Sequence, residues 1–156
     1  MQLKKLIQNY KNIFLVFVLG IFSFLITYYY GFKGLMPSDN TVLYNGGYKV
    51  LNGYIPFNDY WLVTGPLLDY LNAFSFFLFG ISWKSYIFHS SFVNLILATS
   101  SFYLFQSLKL SSLYSLVYSL MISILFYPVV GTPFVDHHST FFLIISFYIF
   151  IFVINS

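Results

Sequence analysis

Four apolar runs constrain the fold of this chain more than any other feature. They cover residues 13–30, 85–106, 112–129 and 139–154. A helix needs about 20 predominantly apolar residues, with a range that begins near 17, to cross the hydrocarbon core of a bilayer. We therefore predict an all-α, polytopic membrane helix bundle with four transmembrane helices, which takes in all 156 residues.

The charge content points to the same class of protein. Only 7% of the residues are charged and 59% are hydrophobic, whereas a soluble domain carries about 25% charged residues. The net charge of +3 comes from scattered lysines, a pattern that does not indicate nucleic-acid binding. Because the chain has no cysteine, disulfide frameworks and thiolate metal sites are excluded.

The lysines predict an orientation in the membrane. Lys4, Lys5 and Lys11 precede the first span, and Lys109 lies between the second and the third. Lysine is enriched on the cytoplasmic side of membrane helices. We therefore place the N-terminus in the cytoplasm and predict two outer loops, residues 31–84 and 130–138.

The first outer loop is rich in glycine, proline and aspartate, and we predict two short helices within it. The first extends from Ser38 to about Leu51, and the second starts with Pro66 and ends before Gly80. The second helix is about 21 Å long, which is shorter than the roughly 30 Å hydrocarbon core. We therefore predict that both helices are interfacial. The alternative, a second helix that spans, would separate Asp39 from Asp136 by the membrane.

Three motifs in this loop resemble a known family. They are LNGYIPFNDY at residues 51–60, GPL at 65–67 and LFG at 78–80. Their order and spacing resemble the first outer loop of the GT-C glycosyltransferases. The nearest branch comprises bacterial relatives of protein O-mannosyltransferases and lipid A aminoarabinose transferases. Phe57 departs from the tyrosine usual in the family. The specific part of the resemblance covers about 45 residues.

The resemblance implies a function and a location. A protein similar to this family would move a hexose or pentose from a polyprenyl-phosphate-linked donor to a glycan, lipid or protein acceptor. Transfer would take place on the outer face of a bacterial inner or plasma membrane. The family's first-loop acid is the catalytic base and matches Asp39, and a second acid of the next loop matches Asp136. The chain would be the N-terminal part of a longer enzyme and inactive alone.

The chemistry of sugar transfer agrees with these roles. A carboxylate is needed to deprotonate the acceptor hydroxyl, and a cationic group to neutralise the leaving phosphate. Asp39 has a second interpretation, as a helix-capping residue. Asp136, together with His137 or His138, could bind a divalent cation or a phosphate, or could be a plain loop cluster. No cofactor is firmly predicted, and a divalent cation is the one candidate.

Five further residues are predicted to bind substrate: Asp59, Lys84, His89, His137 and His138. Each has a simpler interpretation. Asp59 could hold its own loop together, and Lys84 could anchor lipid headgroups. His89 lies inside a predicted span, where an ionisable group faces a cavity or a partner.

A second class of function stays open. The chain could be a non-catalytic membrane subunit, or a protein that binds or translocates a lipid carrier. The two readings differ in geometry, because an enzyme needs Asp39 and Asp136 on the same side and close together.

Overall fold

The computed structural model describes residues 2–34, 37–62, 64–127 and 131–155. These ranges contain no β-strand, so the predicted all-α class is confirmed. Their six helices are α1 (Gln2–Gly31), α2 (Pro37–Leu51), α3 (Leu67–Phe79), α4 (Trp83–Ser107), α5 (Ser112–Phe126) and α6 (Val135–Asn155).

Three of these helices are long and apolar enough to cross a membrane. They comprise Gln8–Gly31, Trp83–Ser107 and Val135–Ile154. The fourth predicted span, residues 112–129, is not confirmed, because α5 has 15 residues and is about 22 Å long. Helix α5 ends at Phe126, and Tyr127 is its C-cap residue. Residues 128–130 lie outside the described part of the chain.

Helix α4 is the centre of the bundle. In its most apolar window 61% of the residues are buried, against 22% in α1 and 17% in α6. One face of α4 carries small or short polar side chains, all fully buried: Ser90, Asn94, Ala98 and Ser101. Small residues allow helices to approach closely in lipid. This face explains why α1, α5 and α6 can all pack against α4.

Asn94 joins three helices at this centre. Its side-chain nitrogen donates to the carbonyl of Ser23 on α1 at 3.2 Å and to the Thr27 hydroxyl at 2.7 Å. It also donates to the Ser123 carbonyl on α5 at 3.0 Å. Ser115, Ser119 and Ser123 form the buried face of α5. These serines therefore form a packing face, and Ser111 is the N-cap residue of the helix.

Helices α2 and α3 pack closely because α2 presents two glycines to α3. A Cβ atom on Gly46 would overlap the carboxyl group of Asp69, and one on Gly47 would lie 2.5 Å from the Cβ of Asn72. The Asn72 amide donates to the Leu43 carbonyl at 3.2 Å. Both helices were predicted from the sequence, and α2 begins at Pro37, one residue earlier than expected.

The two ends of the bundle differ in what they contain. At one end Gln8 and Asn12 of α1 bond to Ser112 and Gln106. At the other end, Trp83 bonds to the Gly31 carbonyl and a Cβ on Gly31 would lie 2.8 Å from the Gly131 carbonyl oxygen. The loop that holds α2 and α3 therefore starts and finishes at the same end of the bundle. The N-terminus of α6 lies at that end too.

Candidate functional site

Asp39 and Asp136 line the same cavity at this end of the bundle. The cavity has a volume of about 300 Å³, and we call it the acidic cavity. It is lined by Asp39, Val42, Leu43, Thr64, Phe134, Val135 and Asp136. Each aspartate lies in the first turn of its helix, α2 or α6, where the helix dipole favours negative charge. The structure thus brings together two acids that are 97 positions apart in the sequence.

Two hydrogen bonds fix the segment before α6 against the rest of the site. The Thr132 hydroxyl donates to the Asn40 side-chain oxygen at 3.0 Å, and Asn40 is the neighbour of Asp39. The Tyr86 hydroxyl of α4 donates to the Pro133 carbonyl at 3.1 Å. These bonds position the first turn of α6, and Asp136 with it, beside α2.

Thr64 gives the acidic cavity a further polar group. Its hydroxyl oxygen is buried and has no hydrogen-bond partner within the described chain. An unsatisfied buried hydroxyl costs about 1–3 kcal/mol. A ligand that bonds to Thr64 in the cavity would recover that free energy.

A second cavity, which we call the apolar cleft, has a volume of about 380 Å³. Its walls are α3 and α6, and its floor is α4. Apart from Ser75, His89 and His138, its lining is hydrophobic: Leu71, Phe74, Leu78, Phe79, Phe92, Val93, Ile96, Phe141 and Phe142. A lining of this kind suits a hydrocarbon chain.

A smaller cavity of about 120 Å³ lies between these two, and we call it the junction cavity. It shares Val135 with the acidic cavity and shares Leu71, His138 and Phe142 with the apolar cleft. The three cavities are therefore neighbours in a series that extends from α2 and the start of α6 to the cleft among α3, α4 and α6. One end of this series carries two carboxylates, and the other end is almost entirely apolar.

His89 and His138 form a hydrogen-bonded pair beside the junction. Their Nε2 atoms lie 3.0 Å apart. The Nδ1 atom of His89 lies 2.7 Å from the Asn72 side-chain oxygen, and that of His138 lies 2.6 Å from the Tyr127 hydroxyl. The pair thus connects α3, α4, α6 and Tyr127, the C-cap residue of α5.

The hydrogen-bond partners determine where the ring protons lie. The amide nitrogen of Asn72 is used by the Leu43 carbonyl, so its oxygen faces His89 and accepts from Nδ1–H. In a neutral His89 the Nε2 atom is then an acceptor, and His138 donates to it. His138 Nδ1 in turn accepts from Tyr127. Every ring nitrogen of a neutral pair has a partner.

The other predicted binding residues are not at these cavities. The two carboxylate oxygens of Asp59 accept from the Ile55 backbone N–H at 2.7 Å and from the Asn58 amide at 2.8 Å. These bonds hold the loop together. Lys84 is exposed in the first turn of α4. His137 is half-buried and stacks on Tyr127, with ring centres 5.0 Å apart.

The described residues do not provide a group of three ligands for the divalent cation that the sequence suggested. Among the residues that the structure describes, no group of three or more histidine, aspartate or glutamate side chains could hold an ion. His138 is bonded to His89 and Tyr127, whereas His137 follows Asp136 and has a buried Nδ1 atom without a hydrogen-bond partner in the described chain. The combination of Asp136 with one histidine stays a prediction.

The sequence alone did not indicate that the carboxyl group of Asp69 is buried. Asp69 is fully buried and accepts a hydrogen bond from the Tyr60 hydroxyl at 2.8 Å. Burial raises the pKa of Asp69, and the Tyr60 bond and the charge of Lys49 oppose that rise. The signal was the shared face of Asp69, Asn72 and Phe76 on α3, opposite two glycines of α2.

Comparison of the chain with protein-family models, with curated proteins and with solved structures finds no match. The interpretation of the site therefore depends on its geometry and on its sequence motifs.

Proposed function

We propose that the chain is the membrane module of a glycosyltransferase that uses a polyprenyl-phosphate-linked sugar donor. The observation that carries this proposal is that the junction cavity shares lining residues with both the acidic cavity and the apolar cleft. A lipid-linked sugar has the same polarity profile, with a polar head and a long hydrocarbon tail. The three GT-C-like motifs of the first loop support the same function.

Each acid has a role in the proposed reaction. Asp39 takes the proton from the acceptor hydroxyl, whose oxygen forms a bond to the anomeric carbon of the sugar. The bond from that carbon to the phosphate oxygen breaks, and polyprenyl phosphate leaves with the electron pair. Asp136 orients the acceptor hydroxyl from the other side of the cavity. A positioned base of this kind contributes about 10²–10⁴-fold to the rate.

The proposal includes a membrane arrangement. Helix α5 packs its serine face on α4, and we propose that α5 with its flanking residues forms the fourth crossing. The end that carries Asp39 and Asp136 would face outward, because Lys11 and Lys109 belong to the opposite end of the bundle. The donor's tail would then enter the apolar cleft from the outer leaflet.

The test is sugar transfer in membranes that contain the protein within its complete natural chain. Asp39→Asn keeps the size of the side chain and removes the base, so we expect at least about a 100-fold loss of transfer. Asp69→Asn is the matched control, because it makes the same change outside the cavity and should retain transfer. Protein abundance in the membrane is measured for both variants.

The same experiment separates the two classes of function. Transfer that persists in Asp39→Asn at near wild-type rate would remove the catalytic role of Asp39. If the wild-type protein bound a polyprenyl phosphate but gave no transfer, it would be a lipid-carrier-binding or translocation protein.

A further inference from the structure

We propose that His89 and His138 form a binding site for the phosphate of an amphiphilic phosphodiester whose hydrocarbon chain lies in the apolar cleft. The inference deepens the proposed function, because it assigns the phosphate of the lipid-linked donor to specific side chains. Only the identity of the natural ligand rests on that function, since the binding chemistry follows from the site.

The position of the pair is the first argument. His138 lines both the junction cavity and the apolar cleft, and His89 lines the cleft. Within the described chain, no lysine lines the acidic cavity, the junction cavity or the cleft. His89 and His138 are therefore the side chains lining these three cavities that can become cationic.

The carboxylates of the acidic cavity supply the second argument. Two unit charges of the same sign 4 Å apart repel by about 1 kcal/mol in water and by about 4 kcal/mol near a protein surface. A phosphate beside Asp39 and Asp136 would meet this repulsion twice. The junction cavity keeps the sugar end of a ligand near the acids and moves the phosphate towards His138.

The Nε2 contact supplies the third argument. In the neutral pair a single proton bridges two Nε2 atoms that are 3.0 Å apart. When a second proton is added, both atoms become donors and can no longer bond to each other. Two N–H groups then point into one region and need one acceptor. An anionic phosphate oxygen meets that need with two charge-assisted hydrogen bonds.

The Nδ1 atom of each ring, which points away from the Nε2 contact, has a hydrogen-bond partner in both protonation states. His138 Nδ1 lies 2.6 Å from the Tyr127 hydroxyl and 3.1 Å from the Phe134 carbonyl oxygen. The second proton binds to His89 Nε2, because His138 Nε2 already carries one, so His138 Nδ1 keeps its hydrogen bond from the Tyr127 hydroxyl. His89 Nδ1 donates to Asn72 in either state. The second proton therefore leaves no ring nitrogen without a partner.

The groups around the pair determine whether the second proton can bind without the phosphate. Tyr127, the C-cap residue of α5, is a titratable group that bonds to His138, and His137 of α6 stacks on Tyr127. On α3, Asp69 faces α2, and on α2, Asp39 faces the acidic cavity. On α4, Tyr86 bonds to Pro133. A charged imidazole in an otherwise apolar cleft is unfavourable without a counter-ion, so the proton and the phosphate should bind together.

The experiment uses the protein in phosphatidylcholine nanodiscs and dodecyl methyl phosphate as the probe. This diester stays a monoanion between pH 7.0 and 8.5, so any proton taken up is bound by the protein. Calorimetry in two buffers of different ionisation enthalpy should show uptake of about one proton. Because binding takes up a proton, the Kd of the phosphodiester should increase by up to about tenfold for each unit by which the pH is raised. Dodecanol should bind without proton uptake.

Further arms distinguish the source of the phosphate. Inorganic phosphate alone tests whether the anion binds without a chain, and we expect no measurable binding. Phosphatidylglycerol in the nanodisc tests whether an ordinary lipid headgroup occupies the site, in which case it would compete with the probe. Either source of phosphate would support the anion site, and only competition would assign it to bulk lipid.

Variants test the pair itself. His89→Gln and His138→Gln should lose proton uptake and the preference for phosphate over dodecanol. A purely structural pair would instead lose dodecanol binding together with phosphodiester binding in these two variants. Tyr148→Phe, which removes a buried hydroxyl bonded to Ser101 elsewhere on α4, is the control.

Two results would overturn the inference in the wild-type protein, even if no variant folds. One is equal affinity for the phosphodiester and dodecanol, and the other is binding of the phosphodiester without proton uptake. The outcome is separate from that of the proposed function. Phosphate binding with near wild-type transfer in Asp39→Asn would reject only the catalytic role of Asp39, and loss of transfer without phosphate binding would reject only the histidine site.

Discussion

The indole nitrogen of Trp83 donates a hydrogen bond to the carbonyl oxygen of Gly31 across 3.2 Å, although the two residues are 52 positions apart. Gly31 ends α1, and Trp83 begins α4. The intervening segment therefore leaves and re-enters the bundle at one end. This relationship, together with the bond from Thr132 to Asn40, is what allows Asp39 and Asp136 to line the same cavity.

The bond between Trp83 and Gly31 leads to a topology prediction. Lys84 follows Trp83, whereas Lys109 follows α4 at the other end. The chain has no native cysteine, so Lys84→Cys and Lys109→Cys each introduce a single thiol. We expect a membrane-impermeant maleimide to label residue 84 in intact cells and to label residue 109 only after permeabilisation. Labelling of both positions from outside would contradict the four-crossing arrangement.

The sequence was sufficient for most of the fold because the signals were local. Apolar run length predicted α1, α4 and α6, and the positions of Pro66 and Gly80 predicted α3. Helix α5 is shorter than expected, since an apolar run measures hydrophobicity and not where the hydrogen-bonded helix stops. Residues 127–129 continue the apolar pattern in the sequence, but the helix ends at Phe126.

The candidate site was only partly predictable, because its geometry depends on contacts between distant segments. Asp39 and Asp136 were chosen from motif position, and the structure places both at one cavity. The bond between His89 and His138 joins residues 49 positions apart, and no local sequence pattern predicts it. Asp59 looked like a binding residue in its motif, but its carboxylate is used by its own turn.

The close approach of α2 and α3 makes Gly46 intolerant of any side chain. A Cβ atom there would overlap the Asp69 carboxyl group, and overpacking of this kind costs about 1–3 kcal/mol. We expect Gly46→Ala to lower the melting temperature in detergent. Gly65→Ala is the matched control, because no atom lies within 4 Å of its added methyl group. Equal melting temperatures for the two variants would show that this packing is wrong.

Asn94 should contribute to stability through its bonds to α1 and α5. Leucine has a similar size but cannot donate to Ser23, Thr27 or Ser123. Interhelical hydrogen bonds in membranes contribute about 0.6 kcal/mol on average and up to about 1.7 kcal/mol. We expect Asn94→Leu to lower the free energy of unfolding by about 1–2 kcal/mol, measured by reversible unfolding in mixed micelles. An unchanged value would mean that these bonds are replaced equally well in the unfolded state.

Asp69 should make stability depend on pH. Burial raises the pKa of Asp69 above its unfolded value of about 3.9. The carboxyl group therefore contributes stability below pH 4, and that contribution is lost as the pH rises through the folded pKa. The decline has a maximum slope of about 1.4 kcal/mol per pH unit, and thermal unfolding in detergent at a series of pH values measures it.

Two variants test the direction of the pH dependence that Asp69 gives to the stability. Asp69→Asn keeps an acceptor for the Tyr60 hydroxyl and removes the charge, so its stability relative to wild type should rise with pH above 4. Tyr60→Phe removes the hydrogen bond that lowers the pKa of Asp69. The decline should then continue to higher pH than in the wild-type protein. Parallel pH profiles for the wild type and both variants would mean that the Asp69 carboxyl group is hydrated, which the contact with Gly46 does not allow.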